Sequence, residues 1–343
     1  MSEKVLVAMS GGVDSSVALQ LLKKQGYSVS GAIMRLCGSE AIADAEAVAQ
    51  KMEIPFTVID KRAEFRKEVI GAFAADYFGG LTPNPCIECN KKLKFGEFLE
   101  FASEKGYDKI ATGHYAKIEK NAETGLYELK RAKDESKDQS YFLYFLSQAE
   151  LSRVLFPLGE YSKPEIRATA EREGISTARK KDSQDICFVG KNDYAKIVEN
   201  YMGKESPAGD FTDINGKVLG RHSGIINYTV GQRKGLGIAL GKPQFVIRKN
   251  AESNTVVLGD EEHLFKKTVK VENVNFISGE VPEKPFSALV KLRYAMKPRE
   301  ATVTVQGRSA IVEFNEPQRA PSAGQAAVFY SGDCVLGGGT IID

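Results

Sequence analysis

The sequence lacks the segments expected of a membrane-embedded or exported protein. No apolar run approaches the roughly 20 residues that a helix needs to cross a bilayer. Residues 1–10, MSEKVLVAMS, contain no apolar core followed by a small-residue cleavage site. We therefore expect a soluble, cytoplasmic protein with no membrane partner. The 343 residues, of which 42% are hydrophobic and 27% charged, predict two or three globular domains.

Cysteine and histidine are both scarce. Five cysteines are an odd number in a chain of this length, which argues against a disulfide framework and favours free or reactive thiols. There is one Cys-x-x-Cys pair and there are only three histidines, so a closed four-ligand zinc site is difficult to build. The net charge of +2 is also small, although a local basic groove for nucleic acid would be compatible with it.

Strand-like and helix-like patterns alternate through the first half of the chain. Residues 5–9 form a continuous apolar run, which is typical of a strand covered on both faces. The pattern predicts further strands at 27–34, 55–60 and 108–112, and helices at 13–24, 41–52, 64–78, 94–105, 141–155 and 163–173. This order predicts an α/β fold with a doubly wound parallel sheet, interrupted by a hairpin over residues 115–131.

The second half of the chain has a different character. After about residue 205 glycines cluster, and from residue 266 short alternating segments follow one another to the end, from TVKVENVNF to QAAVFYSGDCVLGG. Short strands at close spacing are typical of a small barrel. The sequence therefore predicts three domains: an α/β domain over residues 1–204, a small β-rich central domain over 205–265, and a C-terminal β-barrel over 266–343.

A glycine- and serine-rich turn, SGGVDSS, joins the first predicted strand to the first predicted helix at residues 10–16. Unsatisfied N–H groups at a helix start can bind phosphate, and Gly11 and Gly12 leave room for it to approach. Serine hydroxyls add donors, and Asp14 could cap the turn or hold Mg²⁺. The lysine of the usual Gly-Lys-Ser/Thr phosphate loop is absent. A bare Ser-Gly-Gly would fit an ordinary strand–helix turn equally well.

The complete SGGVDSS after a buried strand resembles the phosphate loop of the N-type ATP pyrophosphatase superfamily. This resemblance implies that ATP is cleaved between its α and β phosphates, and that a carbonyl-type oxygen of the substrate is adenylated. The missing lysine agrees with this chemistry, since no γ-phosphoryl group is transferred. Members of the superfamily differ in the nucleophile that then attacks the adenylated carbon.

Two segments of the first half supply candidate thiols. In GGLTPNPCIECNKKLKFGEF, residues 79–98, two prolines and an asparagine predict a rigid loop that holds Cys86 and Cys89 before a lysine-rich helix start. A thiol beside lysines at a helix N-terminus should have a lowered pKa. Cys187 lies in a second predicted loop, KDSQDICFVG, at 181–190. Half of a zinc site and a thioredoxin-like redox pair are alternative interpretations of the first two cysteines.

The remaining cysteines, Cys37 and Cys334, lack comparable neighbours in the sequence. Small buried or incidental thiols are the expected interpretation for both.

Further motifs, in the same order, resemble the tRNA-specific 2-thiouridylase family: PNPxxxCN, KxxxF, ATGHY, KDQSYFL, DSQDICF, GQRKGLG, RYxxxP and GQAAVFY. The resemblance covers nearly the whole chain. It implies ATP-dependent adenylation of the C2 oxygen of the wobble uridine in tRNA, followed by sulfur insertion to give 2-thiouridine. Another adenylating synthetase or amidotransferase, and a non-enzymatic RNA-binding module, are the alternatives.

The resemblance assigns roles to individual positions. Cys89 would be the nucleophile or resolving thiol, and Cys187 would carry the persulfide sulfur. The positions that match ATP contacts are Ala8, Met9, Ser10, Gly11, Gly12, Val13, Asp14, Ser15, Met34 and Gly113. The positions that match contacts with tRNA are Cys86, Ile87, Glu88, His114, Lys137, Asp138, Gln139, Arg293, Tyr294 and Gln325. ATP and Mg²⁺ are the implied cofactors. The implied partners are tRNA and a sulfur donor, either a cysteine desulfurase, a sulfur-relay protein or sulfide.

The chain departs from the common family pattern at one position. The aspartate that usually follows Pro-Asn-Pro is replaced by Cys86, which puts the role of that position beside the target base in doubt. Three cysteines, Cys86, Cys89 and Cys187, could then hold a [4Fe–4S] cluster whose free iron binds an extra sulfide. The sequence leaves a persulfide relay and a cluster-borne sulfide open, and the count of three thiols favours the cluster.

Overall fold

A five-stranded parallel sheet forms the N-terminal part of the computed structural model, which describes residues 2–38, 41–180, 186–189 and 193–343. Its spatial order is β3-β2-β1-β4-β7. These strands are β1 Lys4–Ala8, β2 Ser28–Arg35, β3 Phe56–Asp60, β4 Lys109–Ala111 and β7 Val154–Leu155. In β1, Leu6 packs into one core, whereas Val5 and Val7 pack into the other. Successive strand residues point to opposite faces, so the sheet is covered on both sides.

The helices of this part are α1 Val13–Lys24, α2 Ile42–Lys51, α3 Arg62–Glu64, α4 Ala72–Phe78, α5 Pro85–Glu88, α6 Phe98–Glu104, α7 Gln148–Leu151, α8 Lys163–Arg172 and α9 Tyr194–Met202. Wide π-type turns over Phe65–Gly71 and Cys89–Glu97 join α3 to α4 and α5 to α6. Residues 62–78 and 85–104 are therefore each one continuous helical segment. The predicted α/β fold with a parallel sheet is confirmed.

Two predictions for this half were wrong. The segment around Cys86 is helical from Pro85 onwards, not a loop, because Asn84 caps the helix by accepting a hydrogen bond from the Cys86 amide at 3.2 Å and proline suits the first helical position. The helix expected at 141–155 is a 3₁₀ turn over Ser140–Leu143, then α7 and β7. Ser147 interrupts it, because as an N-cap residue with a capping box it adopts an extended conformation and starts a new helix.

The predicted hairpin is present as β5 Ala116–Lys120 and β6 Tyr127–Arg131. Its β6 strand pairs with β17 Cys334–Ile341 of the C-terminal region, at Leu129 opposite Val335. The hairpin therefore extends the C-terminal sheet and ties it to the α/β part of the chain.

The C-terminal region forms the predicted barrel. Its strands are β12 Phe265–Phe276, β13 Phe286–Lys291, β14 Arg299–Gln306, β15 Ser309–Arg319, β16 Ala326–Ser331 and β17. They follow the order β12-β15-β14-β13-β16-β17, and β12 pairs again with β17, which closes six strands into a barrel.

The residues between the α/β part and the C-terminal barrel in the sequence form a four-stranded sheet in the order β10-β11-β8-β9. Its strands are β8 Gly209–Thr212, β9 Val218–His222, β10 Phe245–Asn250 and β11 Thr255–Gly259. Side chains of α4 and α9 share a core with this sheet. The domain limits at 204/205 and 265/266 stay predictions. Within the described ranges, no helix is long and apolar enough to cross a bilayer.

Candidate functional site

The predicted phosphate-binding turn lies at the carboxyl edge of the parallel sheet, directly after β1. Ligands of open α/β sheets bind at this edge. Ala8 ends β1, Met9 is buried and its amide donates to the Ala32 carbonyl at 2.7 Å, and buried Val13 begins α1. Met34 lies near the end of the neighbouring strand β2 and is also buried.

Hydrogen bonds between two of its own serines fix the conformation of the turn. The Ser10 amide donates to Ser15 Oγ at 3.1 Å, and the two hydroxyl oxygens lie 3.2 Å apart. Gly11 has φ +66°, and Gly12 is the N-cap of α1, where no described side chain caps the helix. The first amides of α1 are thus left without a side-chain acceptor, as an anion-binding site requires.

Gly113 supports this turn from the adjacent strand end. A Cβ atom at Gly113 would lie 2.8 Å from the Ser15 amide nitrogen and 3.2 Å from Asp14 Cβ. Only glycine lets the segment after β4 approach the first turn of α1 so closely. The predicted ATP-contacting positions Gly113, Asp14 and Ser15 are therefore neighbours in the fold.

The turn at residues 10–16 contains no lysine, but a lysine from a distant part of the sequence lies beside it. Lys163, at the start of α8, places its Nζ 2.8 Å from both carboxylate oxygens of Asp14. The Tyr115 hydroxyl donates to Asp14 Oδ1 at 2.8 Å. The sequence signal was only the capping box that begins α8 at Ser162, and no spacing rule connects it to Asp14.

A second lysine approaches the turn from another side. Lys180 Nζ lies 3.0 Å from the Gly11 carbonyl oxygen and 2.8 Å from Asp44 Oδ2. Sequence reasoning did not identify it either, because it precedes the DSQD motif without belonging to a recognisable pattern.

The thiols of Cys86 and Cys89 share one face of the continuous helical segment after Asn84, since they are three residues apart. The predicted lowering of their pKa values was wrong: burial raises the pKa of each thiol, and this outweighs the lowering effect of Lys94. Cys86 is solvent-exposed, yet the protein around its sulfur excludes enough water to have this effect. Both thiols are therefore mostly protonated at neutral pH.

Cys187 belongs to the same group of thiols. Burial, together with smaller contributions from the sulfurs of Cys37, Cys89 and Cys86, raises the pKa of Cys187 to about 12. Cys37, expected to be incidental, follows β2 at the same sheet edge and also raises the pKa of Cys89. Cys37, Cys86 and Cys89 thus all lie close enough to Cys187 to affect its pKa, whereas Cys334 lies on β17 of the barrel.

No three His, Cys, Asp or Glu side chains of the described residues come close enough together to hold a metal ion. Cys86 and Cys89 both act electrostatically on Cys187, but within the described part of the chain these three thiols do not form a three-thiolate ligand set. The donor set does not fit a [4Fe–4S] cluster as it stands.

Alkylation of Cys89 by iodoacetamide should reveal its raised pKa. Since only the thiolate reacts, we expect labelling at pH 8 to be slower than that of free cysteine, and to accelerate as the pH rises through the alkaline range. Lys94→Met should slow it further, because Lys94 lowers this pKa. Lys92→Met is the matched control, since Lys92 is exposed on the same helical segment. Labelling as fast as that of free cysteine, measured by peptide mass spectrometry, would contradict the raised pKa.

The other two residues of the Cys86–Cys89 turn point elsewhere. Ile87 is buried in the core, and Glu88 lines a cavity with Asp76 and Tyr144. Burial raises the pKa of Asp76, and Glu88 raises it further. The tRNA contacts expected of Ile87 and Glu88 stay predictions.

His114 is a buried histidine. Its ring lies between Phe95 and Phe156, with centroid distances of 5.7 and 5.9 Å, and Nδ1 is 2.7 Å from Thr112 Oγ1. Burial, assisted by Lys94, lowers the pKa of His114 well below its usual value. The ring is therefore neutral at physiological pH, which makes it a poor phosphate ligand.

Lys137, Asp138 and Gln139 follow the hairpin. Asp138 is buried, and its carboxylate accepts hydrogen bonds from the amides of Ala132 and Ser140 at 3.1 and 3.2 Å. Gln139 Oε1 accepts from the Tyr115 amide at 3.0 Å, and Lys137 is partly exposed beside them. Asp138 therefore fixes the turn that presents the other two residues.

Aromatic and basic side chains form a surface beside this turn. The rings of Phe142 and Tyr294 lie 4.5 Å apart at 38°, and Lys291 Nζ lies 5.2 Å from the Tyr294 ring. Tyr294 is 36% exposed. Arg293 Nη2 donates to the Ala320 carbonyl and to Ser322 Oγ, so this arginine anchors the neighbouring loop of the barrel.

Gln325 links the barrel to the segment of the reactive thiols. Its Nε2 donates to the Thr82 carbonyl at 2.6 Å, and the Thr82 amide donates to the Ala323 carbonyl at 2.8 Å. A Cβ atom at Gly324 would lie 3.0 Å from Leu81 Cβ and from the Thr82 nitrogen. The barrel thus holds the Pro-Asn-Pro turn that precedes Cys86.

Three family models match consecutive parts of the chain. Their descriptions are tRNA methyl transferase HUP domain for residues 3–191, tRNA methyl transferase PRC-barrel domain for 195–260, and aminomethyltransferase beta-barrel domain for 266–341.

Curated relatives are similar over their whole length. The tRNA-specific 2-thiouridylase MnmA of Clostridioides difficile (strain 630) is 48% identical over 355 residues, which cover 99% of this chain and 98% of the relative. Proteins of the same name from Acetivibrio thermocellus and Carboxydothermus hydrogenoformans are each 46% identical, cover 99% of this chain, and are themselves covered over 99% and 97%.

Proposed function

The chain belongs to the tRNA-specific 2-thiouridylase family, and we propose that it is an ATP-dependent tRNA-uridine 2-sulfurtransferase. Full-length identity of 48% to a relative of that name is the observation that carries this proposal. The phosphate-binding turn and the group of thiols supply the two chemistries that such a reaction needs. We place the reaction in the cytoplasm, where tRNA and ATP meet.

In the first step, the C2 oxygen of the wobble uridine attacks the α-phosphorus of ATP and pyrophosphate leaves. The free amides at the start of α1, the hydroxyls of Ser10 and Ser15, and the positive end of the helix dipole would bind the phosphates. Asp14 is the carboxylate beside this turn, and Mg²⁺ is usually held by one or two carboxylates together with substrate phosphates. When bound there, Mg²⁺ would neutralise part of the phosphate charge.

In the second step, sulfur replaces the adenylated oxygen. The terminal sulfur of a Cys187 persulfide attacks C2, and AMP leaves with the original oxygen. The Cys89 thiolate then attacks the Cys187 sulfur, which breaks the S–S bond to the substrate. The products are 2-thiouridine and a Cys89–Cys187 disulfide, so the two electrons that reduce the sulfane sulfur come from the pair of cysteine thiols. An external thiol reduces this disulfide before the next turnover.

The raised pKa values of the thiols have a consequence for this step. Cys89 must lose its proton before it attacks, and Lys94 is the described group that favours its thiolate. A persulfide is more acidic than a thiol, so loading sulfur onto Cys187 would by itself create an ionised nucleophile. We derive no step through an iron–sulfur cluster, because the three thiols do not form its ligand set here.

The uridine must leave its stack to reach thiols at the carboxyl edge of the sheet. Once extruded, it would pass buried His114, whose neutral ring can exchange a hydrogen bond with a base. Lys137, Gln139 and exposed Tyr294 are partly open positions around the path and would contact the anticodon loop. Cys86 lies beside Cys89 and would face the target base.

A reconstituted reaction tests the proposed function. Purified protein, an unmodified tRNA transcript, Mg-ATP and a cysteine desulfurase with cysteine should give 2-thiouridine at the wobble position, with one AMP and one pyrophosphate per sulfur inserted. A transcript with cytidine at that position is the control, and it should give neither product. ATP cleavage without sulfur incorporation, driven instead by ammonia or an amino acid, would support an adenylating synthetase. No tRNA-dependent pyrophosphate release at all would leave only RNA binding.

A further inference from the structure

Helices α1 and α8 both begin beside the phosphate-binding turn. Helices α1 and α8 pack side by side, and an ion pair joins them at each end. At their N-terminal ends Lys163 of α8 pairs with Asp14 of α1 at 2.8 Å. At their C-terminal ends Lys24 of α1 pairs with Glu173, the residue that follows α8, at 2.6 Å.

The helix dipoles stabilise the lysine of one ion pair and destabilise the lysine of the other. A lysine at a helix C-terminus is stabilised by the negative end of the dipole, and Lys24 occupies such a position. Lys163 has the opposite situation, because it lies where the positive ends of two helices meet. A cation placed there is disfavoured unless anions compensate it. In this structure Asp14 provides that compensation.

The environment of Lys163 directs its charge at the turn. Its side chain is 9% exposed, against 53% for Lys24. The Lys163 ammonium group packs near the Tyr115 ring, at 5.8 Å from its centroid, while the Tyr115 hydroxyl holds the same Asp14 carboxylate. Asp14 belongs to the first turn of α1, whose free amides face the proposed phosphate site.

We propose that Lys163 is the phosphate-binding lysine of this nucleotide site and that Asp14 occupies it until ATP arrives. This inference rests on the proposed function and adds a ligand that the phosphate-loop motif does not contain. When ATP binds, its phosphates replace Asp14 as the counter-anion of Lys163. The released Asp14 carboxylate is then available to Mg²⁺. The ion pair therefore keeps a buried lysine neutralised in the empty enzyme and makes its charge available to the substrate.

Equilibrium binding of ATP without tRNA tests this exchange. In EDTA, Lys163→Met should weaken ATP binding by about 10- to 100-fold, the loss expected for a hydrogen bond to a charged group. Lys163→Arg should retain part of the affinity. Asp14→Asn should tighten binding of Mg-free ATP severalfold, because the phosphates no longer compete with the Asp14 carboxylate for Lys163. The same variant should gain less affinity for ATP when Mg²⁺ is added, because the carboxylate that would hold Mg²⁺ is gone. Lys24→Met, which breaks the matched pair at the other helix ends, should bind ATP like the wild type.

The double variant Lys163→Met/Asp14→Asn tests whether misfolding explains the loss of binding, because it removes both charges of the Lys163–Asp14 pair together. We expect it to unfold at a temperature close to that of the wild type and still to bind Mg-free ATP as poorly as Lys163→Met. The inference would be overturned if Lys163→Met or the double variant bound Mg-free ATP with wild-type affinity. It would also be overturned if Asp14→Asn bound Mg-free ATP more weakly than the wild type does. If the wild type binds ATP as described but forms no 2-thiouridine, the proposed function fails while the inference stands.

Discussion

Replacing Cys187 with serine should abolish 2-thiouridine formation while leaving tRNA-dependent cleavage of ATP in place. Serine is close in size to cysteine but cannot carry a sulfane sulfur, so we expect thiolation to fall by roughly 1,000-fold or more. Adenylation depends on the turn at residues 10–16, which Cys187 does not form. Pyrophosphate release in a single turnover should therefore stay within about threefold of the wild-type value, a difference below 1 kcal/mol.

Two further cysteine variants sharpen this test. Cys89→Ser should also lose turnover, but it should retain a persulfide on Cys187 that mass spectrometry detects after loading. Cys334→Ser is the matched control, because Cys334 lies on β17 of the barrel and is not among the thiols that affect Cys187. Full thiolation by Cys187→Ser would remove the persulfide mechanism. Loss of pyrophosphate release in the same variant would show that Cys187 acts in the first step as well.

Replacing Gly11 with alanine should prevent nucleotide binding. A Cβ atom there would lie within 2.3 Å of the Ala41 carbonyl oxygen, and the φ of +66° is unfavourable for any residue with a side chain. The left-handed conformation costs about 1–2 kcal/mol, and overpacking adds about 1–3 kcal/mol. Because the turn must shift to relieve both, we expect ATP affinity to fall by about 30-fold or more, as measured by calorimetry.

Gly26→Ala separates backbone strain from the steric clash. Gly26 follows the other end of α1 with φ +90°, and a Cβ atom there would meet nothing within 4 Å. This variant should lose about 1–2 kcal/mol of stability but bind ATP normally. If Gly11→Ala binds ATP as tightly as Gly26→Ala does, the turn at residues 10–16 does not hold the phosphates in the way described.

Local sequence signals predicted the elements of this fold well where one signal dominated. The continuous apolar run predicted a strand at 5–9, and β1 lies one residue earlier; the helical spacing predicted α1 at 13–24, which are its observed limits. Prediction was weaker where two signals competed. Around Cys86 the prolines suggested a loop, yet Pro85 sits at the first helical position, where proline is favoured.

The site was predictable as a set of motifs but not as an arrangement. The turn at residues 10–16 and the candidate cysteines were identified because each has a local pattern. Lys163 and Cys37 were missed, because their importance comes from neighbours more than 50 residues away in the sequence, at Asp14 and at Cys89. The charge state of the thiols was predicted with the wrong sign, since flanking lysines are visible in a sequence and burial is not.

The most direct test of sulfur transfer by paired thiols is the state of the enzyme after one turnover. Anaerobically purified protein, loaded with one persulfide per chain and mixed with tRNA and Mg-ATP in the absence of reductant, should yield one Cys89–Cys187 disulfide per 2-thiouridine formed, as counted by peptide mass spectrometry. Iron should be absent from fully active enzyme. Formation of 2-thiouridine without this disulfide, by protein that contains about four irons per chain, would contradict the mechanism and favour sulfide carried by a cluster.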